Sequence, residues 1–275
     1  MTQRAPVTLP TIIHRDDELI VVEKPSGLAT TSPDGGDCLT ARVRMIVPRA
    51  PHCHPSSRLD SPVTGVVIFA LTGRAIERLL DARKDHAYSR RYVGLSGPTD
   101  TQDEETWTWP IAIDPRDKRS RVALELGSTR GERVQDAETR ARVLARSAQA
   151  TLWSFEPITG RTHQLRVHAA KRGAPLVGDT TYGGLRRVVL PRGDVLTCTR
   201  VALHCAVVAI PWRDGPRVFQ SPLPEDLSKL AQGLGLPPLD LNALADTARE
   251  GAIPKPRAAT EDAADVLPDL ESDLT

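Results

Sequence analysis

Aromatic residues are scarce in this 275-residue chain, with four tryptophans, three tyrosines and three phenylalanines, so each ring is worth noting. Long apolar runs are absent too. No segment approaches the roughly 18 residues that span a membrane. Met1 to Thr11 has no apolar core of signal-peptide length. A cytoplasmic protein is expected. The four cysteines, Cys38, Cys53, Cys198 and Cys205, form no C-x-x-C pair. The densest group of ligand-type side chains is His52-Cys53-His54, but adjacent residues diverge and no second cluster has zinc spacing. Reduced thiols and no metal are expected. There is no Walker loop, no G-x-G-x-x-G after a strand and no H-E-x-x-H, and Ser26-Gly27 and Gly183-Gly184 are plain turn signals. No cofactor is expected.

Charge is present but unevenly placed. The chain carries a formal +1. From Asp246 to Thr275 eight acidic residues face three basic ones, a local −5 that leaves +6 on the rest. An arginine-rich basic body suits a phosphate-bearing partner as well as it suits an ordinary solvated surface.

The spacing of apolar residues predicts buried strands at Leu19–Val22, Gly65–Ala70 and Val201–Ile210. Strands are also read at Arg91–Gly97, Thr139–Leu144 and Thr151–Glu156. Helices are predicted at Leu39–Val47, Arg74–Arg83, Pro224–Gly233 and Leu239–Ala248. Pro48–Pro55 reads as loop, Thr106–Ile113 as irregular around Pro110, and Asp114–Arg121 as exposed. Thr159 to His168 reads as a turn running into a helix, with Thr159 or Thr162 as N-cap. Strands outnumber helices without regular alternation, which points to an α+β fold with a mixed, mostly antiparallel central sheet flanked by helices.

The chain is organised around Ser57-Arg58-Leu59-Asp60-Ser61-Pro62-Val63-Thr64-Gly65, which leads into the apolar run ending at Ala70. Asp60 beside a core strand is costly unless paired. It is either a turn former or a nucleophile, and a nucleophilic carboxylate must stay ionised. An arginine meets that need, being permanently charged and bidentate. Arg161, after Gly160, is the candidate partner, or else a surface residue at a helix start. Tyr92 follows Arg90 and Arg91, a combination that stacks a nucleobase beside a phosphate backbone, or a core tyrosine of a sheet. His163 and His168 are read as structural donors.

Taken in order, these stretches resemble the RluA-like family of RNA pseudouridine synthases. The likeness is carried by Glu23-Lys24-Pro25-Ser26-Gly27-Leu28, Ser57-Arg58-Leu59-Asp60 with Val63-Thr64-Gly65, and Arg91-Tyr92-Val93. Thr159-Gly160-Arg161-Thr162-His163-Gln164-Leu165-Arg166-Val167-His168, Gly178-Asp179, Tyr182-Gly183, Leu203-His204 and Leu223-Pro224 continue it. The resemblance implies a catalytic domain over 11–235, between a flexible arm at 1–10 and an acidic extension at 236–275 with a disordered end. It implies Asp60 as catalytic aspartate, Arg161 as its ion-pair partner and Tyr92 packed against the uracil. Arg58 is implied to replace the flipped-out base, and Leu165 to line the pocket. The implied partner is a structured RNA, an rRNA or tRNA stem-loop, acted on by a monomer.

Two departures stand out. The family usually has histidine where this chain has Ser57, and Thr-Ser-Gly where it has Val63-Thr64-Gly65. Many members carry an N-terminal S4 RNA-binding domain, for which ten preceding residues leave no room, so recognition is expected to rest on the catalytic body. A non-catalytic RNA-binding factor of the same fold is the competing reading. A glycoside hydrolase would need a second carboxylate near Asp60, and no convincing one is found.

Overall fold

The computed structural model describes residues 8–128 and 131–253. Of the arm expected at 1–10 and the acidic extension expected at 236–275, residues 1–7 and 254–275 lie outside the described residues. The fold is α+β, with a mixed, mostly antiparallel central sheet and helices. Two compact units divide the chain. The first holds residues up to Ser89, Val208–Gln220 and the stretch from Ala245; the second holds Arg90–Val207 and Ser221–Leu244.

In the first unit the strands Thr11–Arg15, Leu19–Lys24 and Thr64–Ala70 pair antiparallel in that order. All seven residues of Thr64–Ala70 are buried, which is why the run reads as unbroken hydrophobicity rather than alternation. Two helices follow the predicted spacing. Leu39–Ile46 ends before Pro48, and Gly73–Lys84 starts at Thr72, whose hydroxyl accepts from the Ala75 amide at 3.2 Å. The predicted 48–55 loop contains one short strand, His54–Pro55, paired with Thr64–Ala70.

In the second unit the strands run Ser89–Ser96, Thr151–Pro157, Thr139–Arg146 and Glu104–Trp107, each antiparallel to the next. The scarce aromatics are concentrated here. Trp153 and Phe155 stack at 5.8 Å, and Trp107 meets both. The Trp153 indole donates to Ser96 Oγ at 2.9 Å, so the polar edge of the largest buried ring has a partner. The helices are Gln164–Lys171 and Glu225–Gly233.

Two readings need correction. The segment expected to be irregular forms strands at Glu104–Trp107 and Ile111–Asp114 on either side of Pro110. The stretch expected to be exposed is so over 115–119, and it also contains Asp117–Ala123, which with Ile111–Asp114 and Glu132–Gln135 makes a small three-stranded sheet. The helix after Gly160 begins at Gln164, capped by His163 rather than by a threonine. A further hairpin, Arg187–Val189 with Val195–Thr197, went unread. The strand Leu203–Ile210 carries the chain from the second unit back into the first, and Leu241–Gly251 is helical.

Candidate active site

In the first unit, the backbone around Asp60 is held from both sides. Thr30 Oγ1 accepts from the Leu59 amide and donates to the Leu59 carbonyl, each at 3.0 Å. Lys24, fully buried, donates through Nζ to the carbonyls of Leu28 at 2.6 Å, Pro25 at 2.9 Å and Ser61 at 3.0 Å. An ammonium taken out of water needs such a set of acceptors. Gly27, at φ +81°, supports the same arrangement, its amide donating to Ser61 at 2.8 Å. The Asp60 carbonyl closes a turn by accepting from Val63 at 3.0 Å.

The result is a carboxylate on a fixed backbone. Leu59 is buried, Arg58 is exposed and Asp60 is half-buried. Both departures from the family pattern, Ser57 and Val63, are buried. They belong to the support beneath the loop rather than to its solvent-facing side.

In the second unit, Tyr92 is buried on its strand opposite Phe155. Its neighbours Arg90 and Arg91 are each only 8% exposed, unlike solvated phosphate ligands. Arg91 pairs with Glu156 at 2.7 Å, and Glu156 also faces Arg140 at 3.7 Å. Arg90 reaches the carbonyls of Pro157 at 3.2 Å and Thr159 at 3.4 Å. Strand side chains alternate between faces of a sheet, and here both faces are covered. The two arginines therefore hold the chain where it enters the Thr159–His168 motif.

That motif is built around Gln164. Its Oε1 accepts from the Arg161 amide at 2.9 Å and from Thr159 Oγ1 at 2.7 Å, while Nε2 donates to the Glu138 carbonyl and Thr139 Oγ1. His163 takes the left-handed conformation, φ 58°, an uncommon one for a residue with a β-carbon. Its Nδ1 lies 2.7 Å from the Tyr182 hydroxyl, which also accepts from the Arg121 amide. His168 is fully buried between Thr139 Oγ1 and the Trp109 carbonyl, and burial lowers its pKa. Both histidines have the structural partners expected of them.

The two arginines of the motif differ. Arg161 is half-buried and donates through Nε to the Asp136 carbonyl at 2.9 Å, a main-chain contact rather than an ion pair. Arg166 is buried and forms a bidentate pair with Asp179, both bonds 2.8 Å, with its guanidinium 4.9 Å above the Tyr182 ring. Of the two, Arg166 is the buried and bidentate guanidinium. Its neighbour Leu165 is buried as well.

Gly178 allows the Asp179 loop to pass close to Arg200. At φ +80°, any β-carbon there would lie 1.9 Å from the Arg200 carbonyl. Arg166, Asp179, Tyr182 and Lys24 stand within the motifs with nothing in their letters to mark a role. Their signal lies in burial, which becomes visible only once the helix phase and the loop are known.

Asp60 and Arg58 belong to the first unit; Tyr92, Arg90, Arg91, Arg161 and Leu165 belong to the second. Among the described residues, no group of three or more His, Cys, Asp or Glu side chains is gathered as a metal site. No described helix is long and apolar enough to cross a membrane. The four cysteines are buried and carry no disulfide.

Residues 18–171 match the family model described as RNA pseudouridylate synthase. The chain is 32% identical to ribosomal large subunit pseudouridine synthase D of Xanthomonas campestris, over 85% of this chain and 72% of that protein. It is 32% identical to the dual-specificity RNA pseudouridine synthase RluA of Yersinia pestis, over 62% of this chain and 81% of that one. Its fold resembles that of human RNA pseudouridylate synthase domain containing 4, with a TM-score of 0.65, covering 82% of this chain and 94% of that chain at 21% identity.

Proposed function

This chain belongs to the RNA pseudouridylate synthase family and is an RNA uridine-to-pseudouridine isomerase, and we propose that it modifies specific uridines in structured rRNA or tRNA with Asp60 as catalytic aspartate. The observation that supports this most directly is the fixing of the Arg58-Leu59-Asp60 backbone by Thr30 and Lys24, with Asp60 left half-buried. A reacting group works best on a backbone that does not have to be organised during the reaction.

The isomerisation breaks the C1′–N1 bond, turns the uracil and forms C1′–C5. The proton displaced from C5 is balanced by one gained at N1. Nothing is oxidised or reduced and no phosphoryl group moves, so side chains can supply what the reaction needs. The target base must leave its stack, at a cost of a few kcal/mol. On this reading Arg58 takes the vacated place, Tyr92 packs against the uracil and Leu165 lines the pocket. The charge-compensating role sought in Arg161 is assigned to Arg166, on the strength of its burial and orientation. Arg90 and Arg91 act through the loops they hold rather than on phosphate. The relatives, a large-subunit and a dual-specificity synthase by name, support rRNA or tRNA as substrate. The reading also places a monomeric enzyme in the cytoplasm with those RNAs.

The test is pseudouridine mapping across the host transcriptome in wild type, a deletion strain, and the deletion complemented with Asp60→Ala, Arg161→Gln or Arg166→Gln. A site lost in the deletion should stay lost with Asp60→Ala and Arg166→Gln, and return with Arg161→Gln. If no site changes while a growth defect is rescued by Asp60→Ala, the chain acts as a binding factor instead.

A further inference from the structure

The hairpin Arg187–Val189/Val195–Thr197 has no role in the chemistry above, yet it is firmly built. Its base is tied down by the Cys198 amide donating to the Arg186 carbonyl and the Gly178 amide donating to the Leu185 carbonyl, each at 2.8 Å. Gly178 is the neighbour of Asp179, which holds Arg166. Its tip is closed by Leu190 and Asp194 at 2.8 Å, with Gly193 in the left-handed region. On one side Val188 and Leu196 are half-buried, and Leu196 packs so closely on Gly233 that a β-carbon there would lie 2.8 Å from its Cδ1. The other side is open, with Arg187, Val189, Val195 and Thr197 all exposed.

The hairpin carries an excess of positive charge, three arginines against one acidic residue. Arg42, Arg146, Arg172 and Arg200 each sit against a carboxylate. Arg186, Arg187 and Arg192 are exposed, face only Asp194 as an acidic residue within the hairpin, and form no ion pair among the described residues. Three guanidinium groups against one carboxylate on a two-stranded ribbon, with Leu185, Val189 and Val195 exposed between them, match a polyanion that also offers apolar faces. An apolar protein partner would find too little hydrophobic area, and an acidic one would leave the apolar side chains unmatched.

We infer that this hairpin is a second RNA-contacting surface, which binds the phosphate backbone of the substrate outside the target nucleotide. The inference rests on the reading of the chain as an RNA-modifying enzyme. It adds to that reading a means of gripping RNA beyond the target nucleotide.

The test uses the full chain and an unmodified in vitro transcript of large-subunit rRNA, with affinity measured across a salt series. Replacing Arg186, Arg187 and Arg192 together by glutamine should reduce the slope of log K against log salt by about 2 to 3, and weaken binding roughly tenfold or more. Val189→Lys, which adds a charge on the same open side, should steepen the slope by about 0.7 to 0.9. It also guards against a triple variant that fails to fold. Unchanged slopes in both variants would overturn the inference. Pseudouridine formation is read on the same preparations. A wild-type protein that forms none, while its salt slope still responds to the hairpin, would set aside large-subunit rRNA as the modified substrate and leave the RNA contact standing.

Discussion

Arg166 and Asp179 meet through two parallel hydrogen bonds of 2.8 Å, and both side chains are almost wholly buried. Deleting one member of such a pair strands the other's charge away from water. Asp179→Ala is therefore expected to lower the unfolding free energy by about 3–5 kcal/mol. Combining it with Arg166→Met should recover part of that loss, since the guanidinium stranded by Asp179→Ala is then removed as well. Denaturant titration of the single and double variants measures both. Equal losses in the two would show that the pair is not the unit that matters.

Lys24 holds three carbonyls, and the one at Ser61 adjoins Asp60. Lys24→Met should cost about 2–3 kcal/mol by leaving buried acceptors unmet. It should also lower kcat at saturating RNA more than it raises KM, because the loop rather than the RNA contact is loosened. A variant with reduced Tm but unchanged kcat would confine Lys24 to a structural role.

A charge reversal at Arg91 should act on stability, not on RNA affinity. Arg91→Glu places two carboxylates together in the space now shared with Glu156, whereas adding Glu156→Arg restores opposite charges. The double variant is expected to regain most of the stability lost in the single one. Salt-dependent RNA binding should keep its slope in the rescued protein. A reduced slope would return Arg91 to the phosphate-binding role expected of its sequence context.

His204 sets a pH window. Burial pushes its imidazole down to about 4, although Nε2 donates to the Ser221 carbonyl at 2.9 Å. In the unfolded chain the group titrates near 6.5. Between these values the unfolded state binds more protons, so the stabilisation from a neutral His204 is complete above about 6.5 and is lost as pH falls toward 4. Urea midpoints should drop between pH 7 and pH 5 in wild type. His204→Gln, which cannot titrate but can donate to Ser221, should show a smaller drop over the same interval.

The unbroken apolar runs at Leu19–Val22, Gly65–Ala70 and Val201–Ile210 announced their strands because burial on both faces leaves no polar position in the pattern. The small sheet containing Asp117–Ala123 gave no such signal. Its strands are largely exposed and charged, so neither alternation nor a hydrophobic run marks them. At the candidate site, the motif around Asp60 was legible in its residues but not in its support. That Lys24 reaches Ser61, 37 positions away, depends on tertiary folding. Arg161 and Arg166 look interchangeable as letters. They are told apart only when His163 adopts its left-handed turn and starts the helix one residue later, and when Asp179 arrives from a separate loop. The letters leave Arg90 and Arg91 open for a related reason. A basic pair beside a tyrosine looks the same whether it faces solvent or the protein's own carbonyls and carboxylates.

The division of the chain into units also orders events in time. The first unit needs Val208–Gln220 in addition to the residues up to Ser89, so it cannot close until the whole of Arg90–Val207 has been synthesised. At ordinary rates of translation that is a delay of roughly ten seconds. Throughout it, the seven residues Thr64–Ala70, destined for complete burial, await the rest of their unit on the nascent chain. The second unit is divided as well, and it is completed only when Ser221–Leu244 has followed. The segment bearing Asp60 is among the first to leave the ribosome, yet its unit is completed late.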